Sequence, residues 1–327
     1  MDCPRISNWG DLSQLLDDFS GSWLFRGAPR EYGTLPPSLL REVDEGLSHY
    51  KISEIESYGL LHFSRASHLQ PRGSDPPELR TTELQALTFG ERIEWSTWLQ
   101  HYGAPSRLLD WTSSPFVAAY FAVSDAVEVD AELWCVSLSD LRHRAASLLI
   151  APDGASNTLD IADQKSAAEA VESSVLGRTL RHISSSAAHR LPQFPSQGSW
   201  FDVLAKTAFS GSSEQVLSIV DQLAQCDINE LVEQVGTPIV FPVTTSRPTD
   251  RMLAQQGWFT VALDPRTDHT KISEMDVELK RYVISANSKP EIMRKLHSTN
   301  VSAHSLFPGL DGLGRAVRER LRHGMPW

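Results

Sequence analysis

Arginines, hydroxyls, amides and a few carboxylates sit at the ends of apolar runs in this chain, where side chains are well placed to meet a ligand. Arg26 closes the run Ser22-Trp-Leu-Phe-Arg-Gly. Its planar fork suits bidentate contact with phosphate or carboxylate. The plainer reading is a buried salt bridge to Asp110 or Glu94. The run Arg107-Leu-Leu-Asp-Trp-Thr-Ser-Ser brings an arginine, a carboxylate and hydroxyls together. Arg107 and Asp110, three apart on a strand, point to opposite faces and do not pair. Asp110 is left to hold Arg26 or to cap the next helix, while Thr112 and Ser113 offer hydroxyls at the strand end. Glu94 is a candidate reactive carboxylate or a solvated helix residue. His101 titrates near neutrality and suits acid–base work, although a histidine near a helix end is more often structural. Trp111, Tyr102 and Tyr120 have rings that can stack on a planar ligand, with core packing the better account of Tyr120. Arg251 precedes Gln255 and Gln256, whose amides serve either a ligand or a turn. No Gly-rich phosphate loop and no metal-ligand spacing is present, so no metal is expected.

Helices and short strands must position these residues. A helix from Trp9 to Phe19 buries Trp9, Leu12, Leu15, Leu16 and Phe19, and Gly21 ends it. Ser22–Gly27 is a strand. Pro36-Pro37 turns into a short helix, and Leu47–Ser67 is a longer one. Gln70–Glu78 is rich in Pro and Gly and reads as a mobile loop. Thr81–Tyr102 returns to helix until Gly103 and Pro105 end it. Arg107–Trp111 is a buried strand. Pro115 suits the first turn of a helix whose face is Phe116, Ala119, Tyr120 and Val123. Ala131–Leu138 is a strand with Leu133, Cys135 and Val136 as its buried positions. Residues 142–235 form a partly helical insertion. Strands resume at Pro238–Val243, Gly257–Leu263 and Leu279–Ser285, with a short helix or turn at Arg251–Gln256. Helices over Glu291–Ser298 and Leu310–Arg322 close the chain. Short strands with intervening helices make an α+β domain over 1–327.

Whole-chain chemistry narrows the partners. The net charge of −11 argues against a general grip on nucleic acid backbone. The 41% hydrophobic content supports a core. Three cysteines at unrelated spacings make no disulfide framework, which suits a reducing cytoplasm. No apolar signal region opens the sequence, and no stretch approaches the ~20 apolar residues that span a bilayer. A cytoplasmic protein without membrane contact is expected.

The motifs resemble the FRG-domain family, named for a Phe/Tyr-Arg-Gly tripeptide, here Phe25-Arg26-Gly27. A second block is similar in Glu94-Trp95, Gln100-His-Tyr-Gly and Arg107-Leu-Leu-Asp-Trp-Thr. A third is Arg251-x-x-x-Gln-Gln-Gly-x-Phe, and Leu306-Phe-Pro-Gly-Leu-Asp-Gly closes the set. The layout also resembles the ADP-ribosyltransferase fold. That resemblance implies a split mixed β-sheet with flanking helices, in which an Arg on a first strand, hydroxyls on a second and a Glu near a late strand hold NAD. Arg26 fits the first position, and Thr112-Ser113-Ser114 the second. At the third the chain has Arg251, Gln255 and Gln256 in place of Glu, and an arginine there would oppose a developing cation.

The resemblance implies NAD as ligand and substrate. Arg26 would hold phosphate, and Thr112 and Ser113 would brace the nicotinamide ribose. Trp111 would stack on a ring, Arg251 and Gln256 would also contact the nucleotide, and Glu94 or Gln255 would touch ribose as the catalytic group. The implied reaction is ADP-ribosyl transfer to a macromolecule or NAD cleavage, with a toxin or anti-phage effector as the setting by analogy. The other expectation is a non-enzymatic module that binds an anionic partner through Arg26, Arg107 and Arg251. In either case Arg26, Asp110, Thr112 and Arg251 should converge on one cleft.

Overall fold

A computed structural model describes residues 3–67, 89–150, 232, 237–245 and 248–325. The expected loop at Gln70–Glu78 lies outside the described residues, as does nearly all of the expected insertion.

Seven strands form one mixed sheet. In chain order they are β1 (Arg5–Ile6), β2 (Trp23–Ala28), β3 (Leu108–Thr112), β4 (Ala131–Ser137), β5 (Val240–Val243), β6 (Gly257–Ala262) and β7 (Leu279–Ile284). Their spatial order is β1-β7-β4-β2-β3-β6-β5. β1 runs parallel to β7, and every other pairing is antiparallel. The helices are α1 (Trp9–Asp17), α2 (Ser38–Glu42), α3 (His49–Ser67), α4 (Phe89–His101), α5 (Pro115–Val123) and α6 (Leu138–Ile150). They continue with α7 (Asp250–Ala254), α8 (Lys289–Ser298), α9 (Ala303–Leu306) and α10 (Leu310–His323). The fold is α+β, a seven-stranded sheet with flanking helices.

Strand alternation divides the core between the two faces of the sheet. Leu24, Trp134 and Val136 point to one face, with Leu141 of α6 and Ile272 of a 3₁₀ segment. Phe25, Leu133 and Cys135 point to the other, with Ala118 of α5 and Ile292 and Met293 of α8. β4 lies between β7 and β2 with helices over both faces, so all its residues are buried. The three expected positions are buried, and the other four residues of the strand are buried with them.

The sheet has a weak seam at its centre. β2 and β4 pair along their length from Trp23–Ser137 to Ala28–Glu132, and β3 and β6 from Leu108–Val261 to Thr112–Gly257. Between β2 and β3 the register is the single pair Phe25–Thr112. The sheet therefore opens between these two strands into two halves.

α5 sits behind that seam. Ser114 caps it by accepting from the Val117 amide at 3.4 Å, with Pro115 in the first turn. Val117, Ala118, Ala119, Tyr120, Ala122 and Val123 are all buried. The helix is covered nearly all round, not along one face, and Phe116, expected inside, is 36% exposed and stacks on Trp9. Gly27 is what lets α5 lie so close. A Cβ there would stand 1.8 Å from the Ala118 carbonyl oxygen and 2.7 Å from the Ala122 nitrogen. The glycine of the Phe-Arg-Gly tripeptide is thus a packing requirement. α6 starts straight after β4, so the expected insertion boundary at residue 142 falls inside a helix. Among the described residues no helix is long and apolar enough to cross a membrane.

Candidate functional site

The opening between β2 and β3 leads into a cavity of about 420 Å³. That volume lies within the range of small-molecule sites, roughly 300–1,000 Å³. Arg26, Asp110, Thr112 and Arg251, the four residues expected to converge, all line it. They come from β2, the middle and end of β3, and α7. The sheet brings together residues that are more than two hundred positions apart in the chain.

Arg26 spans the seam. Its Nη1 donates to the Asp110 carbonyl at 2.7 Å and lies 3.8 Å from the Asp110 carboxylate. This bond supplies a cross-strand tie where the backbone ladder is missing. Burial pushes the Arg26 pKa down, and Asp110 opposes that shift. The Asp110 side chain is 59% exposed. The expected alternative, that Asp110 caps α5, does not occur, because Ser114 caps the helix with its own hydroxyl.

Arg251 is placed differently. Its guanidinium lies over the Phe307 ring at 4.8 Å, and Arg315 of α10 lies over the same ring at 4.3 Å. Burial lowers the Arg251 pKa and the neighbouring Arg315 charge lowers it further. Among the described residues no carboxylate ion-pairs with Arg251. His101, also in the lining, has its pKa lowered by burial and then by Arg251, which favours the neutral imidazole. Its Nδ1 is 3.5 Å from the Thr249 hydroxyl, which caps α7.

Other expected site residues serve the scaffold. Arg107 is 4% exposed and forms a buried ion pair with Glu56 of α3, with Nε donating to Oε1 at 2.6 Å. It cannot meet an outside anion, and that part of the anionic-module expectation is corrected. Trp111 is 3% exposed and packs in the core, with its indole N–H donating to Thr260 at 2.9 Å. The residue is part of the cavity lining, but its buried ring is not open for stacking. The Thr112 hydroxyl donates to the Gln255 carbonyl at 2.7 Å and accepts from the Ser114 amide at 3.0 Å, so its bonds are already used.

Gln255 lines the cavity, yet its amide donates to the Leu306 carbonyl at 3.2 Å. Ser113 and Gln256 lie outside the lining and bond to each other, the Ser113 amide donating to the Gln256 carbonyl at 3.1 Å. Gln256 has φ +50 and forms the turn from α7 into β6. Glu94 also lies outside the lining and accepts from the Thr245 hydroxyl at 2.6 Å. Among the described residues, the carboxylates in the cavity lining are Asp110 and Asp125. Tyr102 is exposed, and the buried Tyr120 hydroxyl bonds to Glu319.

Arg315 and Asp125 were missed by sequence reasoning. The signal for Arg315 was present, because it lies less than a turn beyond the Leu306–Gly312 block. Gly312 explains part of that block. A Cβ on it would stand 1.9 Å from the Phe307 carbonyl oxygen, so glycine lets α10 start tight against Phe307. This packing carries Arg315 over the Phe307 ring.

Comparison with curated proteins and with solved structures gives no match. The expected family blocks at Arg251–Gly257 and Leu306–Gly312 fall outside the matched residues of a family model. That match covers residues 21–131, which hold Phe25-Arg26-Gly27, β3, α5 and the seam they build, and it identifies this part of the chain as an FRG domain.

Proposed function

We propose that the cavity binds a phosphate-bearing nucleotide, with NAD the first ligand to test. The observation that carries this reading is Arg251. A partly buried guanidinium without an ion-pair partner among the described residues is costly to hold, and a bound anion offsets that cost. Arg315 beside it adds positive charge, and Asp110 at the β2–β3 seam offers an acceptor for ligand hydroxyls. The open seam between β2 and β3 is also what a split sheet of the ADP-ribosyltransferase type would provide. The late Glu of that layout is missing, and Glu94 lies outside the cavity lining. The reading is therefore nucleotide binding, with ADP-ribosyl transfer or NAD cleavage as a separate question for the same assay.

Calorimetric titration of NAD into the wild type and into Arg251→Ala tests the proposal, with circular dichroism as the control for folding. A lost charge-assisted contact is worth about 1.5–3 kcal/mol, so the variant should bind roughly ten- to a hundredfold more weakly. Mass spectrometry for free nicotinamide in the same samples reports turnover. A well-folded wild type that gives no binding heat overturns the NAD reading. Binding without nicotinamide release identifies a binding module.

A further inference from the structure

We propose that Arg251 and Arg315 form a two-arginine clamp on Phe307 that takes a phosphoanhydride, so that the cavity prefers nucleoside diphosphates and dinucleotides to monophosphates. The inference rests on the nucleotide reading of the same cavity and names the part of the ligand each wall receives. Both guanidiniums lie over one ring, at 4.8 and 4.3 Å from its centroid, so they are separated by no more than the sum of those distances. They come from different elements, α7 and α10, and Phe307 comes directly after α9. The Gln255 amide, bonded to the Leu306 carbonyl at 3.2 Å, ties the end of α7 to that junction. The clamp is therefore built into the fold.

The charges of its neighbours decide what the clamp binds. Burial first and the neighbouring Arg315 charge second lower the Arg251 pKa, while Asp110 and Asp311 oppose the shift. Arg315 pairs with Asp311 at 2.9 Å, but both side chains are largely exposed, at 44% and 62%. An exposed pair four apart on a helix contributes little to stability. An incoming anion can replace it easily.

Arg26 contrasts with both. It already donates to the Asp110 carbonyl and has the Asp110 carboxylate 3.8 Å away. Anionic groups are disfavoured beside Asp110 and favoured at the Phe307 end, and ligand hydroxyls take the Asp110 end. The two linked phosphoryl groups of a phosphoanhydride can engage two guanidinium forks that line one cavity, since each fork donates to one pair of oxygens. A lone phosphate leaves one fork short of acceptors.

The test is calorimetric titration of inorganic pyrophosphate, ADP and AMP, in metal-free buffer, into the wild type and three variants. Arg315→Ala and Arg251→Ala each remove one side of the clamp. Arg318→Ala removes an exposed arginine of α10 outside the cavity lining and controls for general charge. The wild type should bind ADP at least tenfold more tightly than AMP. Each clamp variant should lose at least tenfold for ADP and pyrophosphate, and Arg318→Ala should lose less than twofold. If Arg315→Ala fails to fold, Arg315→Lys keeps the charge without the fork and should lose at least threefold for ADP. Equal binding of ADP and AMP by the wild type overturns the clamp while leaving the nucleotide reading intact. Pyrophosphate binding that depends on both arginines, without ADP or NAD binding, keeps the clamp and removes the nucleotide. ADP binding that is indifferent to Arg315 overturns the clamp.

Discussion

Gly27→Ala separates two opposing effects of the same methyl group. In the unfolded chain, replacing glycine by alanine reduces conformational freedom and favours folding by about 0.4–1 kcal/mol where the native site tolerates it. In the folded chain the new Cβ would stand 1.8 Å from the Ala118 oxygen, 2.7 Å from the Ala122 nitrogen and 2.9 Å from the Ala118 carbonyl carbon. All three are backbone atoms of α5, so no side chain can swing away. To restore ordinary contact the helix must lift off β2 by more than an ångström. Its Val117, Ala118, Ala119, Ala122 and Val123 are packed in the core, and that packing is disturbed with it. Overpacking costs typically 1–3 kcal/mol, and a clash with rigid backbone belongs at the upper end. We expect a net loss of about 2–3 kcal/mol, read in urea as a fall in the unfolding midpoint of roughly 0.7–1 M for an m-value of about 3 kcal/mol/M. Ala118 and Phe121 also line the cavity, so ligand binding should weaken in the same variant. A midpoint that is unchanged or raised would show that α5 does not rest on Gly27, and the packing account of the Phe-Arg-Gly glycine would fail.

Glu56→Ala should strand the buried Arg107 guanidinium and cost about 3–5 kcal/mol by urea unfolding. Glu56→Ala combined with Arg107→Met should be less damaging than Glu56→Ala alone, and an equal or greater loss would count against the ion-pair account. His269 is fully buried, and burial pushes its pKa down to about 3. The folded chain then keeps this imidazole neutral while the unfolded chain protonates near pH 6.5. Its contribution to stability is thus complete above pH 6.5 and is lost as the pH falls toward 3. The His269 ring resonance in NMR should stay fixed from pH 8 to pH 5, and a midpoint near 6.5 would refute this.

The parts of the fold legible in the sequence are those fixed by local rules. Pro115 behind Ser114 marks a helix start because the cap and the fixed proline φ act within one turn. Arg107–Trp111 and Pro238–Val243 read as strands because short buried runs bounded by breakers have few alternatives, and β3 and β5 lie there within one or two residues. Burial set by neighbouring strands is not local. Nothing within Ala131–Ser137 says that the strand will lie between β2 and β7 under helices on both sides, and that placement is what buries Glu132 and Ser137 along with Leu133. The two-residue β1 exists because it pairs with β7, and a pattern of two residues carries no periodicity. The partner of Arg107 is on α3, fifty-one residues earlier, and no spacing within β3 reveals it.

The site shows the same limit from the other side. Thr112, Ser113, Gln255 and Gln256 have the chemistry of a ligand site, and they lie in or beside the cavity lining. Their polar groups nevertheless join the end of β3 to the turn between α7 and β6, through Thr112 to Gln255 and Ser113 to Gln256. A ligand contact and a strand-to-turn tie require the same hydroxyls and amides, so residue type alone cannot tell them apart. What distinguishes them is whether the hydrogen-bonding capacity is already used. By that criterion Thr112 belongs to the scaffold and Arg26 is shared between scaffold and cavity. Arg251 belongs to the cavity. Arg315 was the hardest to find, because α10 also carries Arg318, Arg320 and Arg322 and reads as a solvated basic helix. It differs from them in lining the cavity and in having the Phe307 ring beneath it. Gly312 lets α10 pack against the Phe307 backbone, so the placing of a surface-looking arginine over that ring depends on a glycine three residues before it.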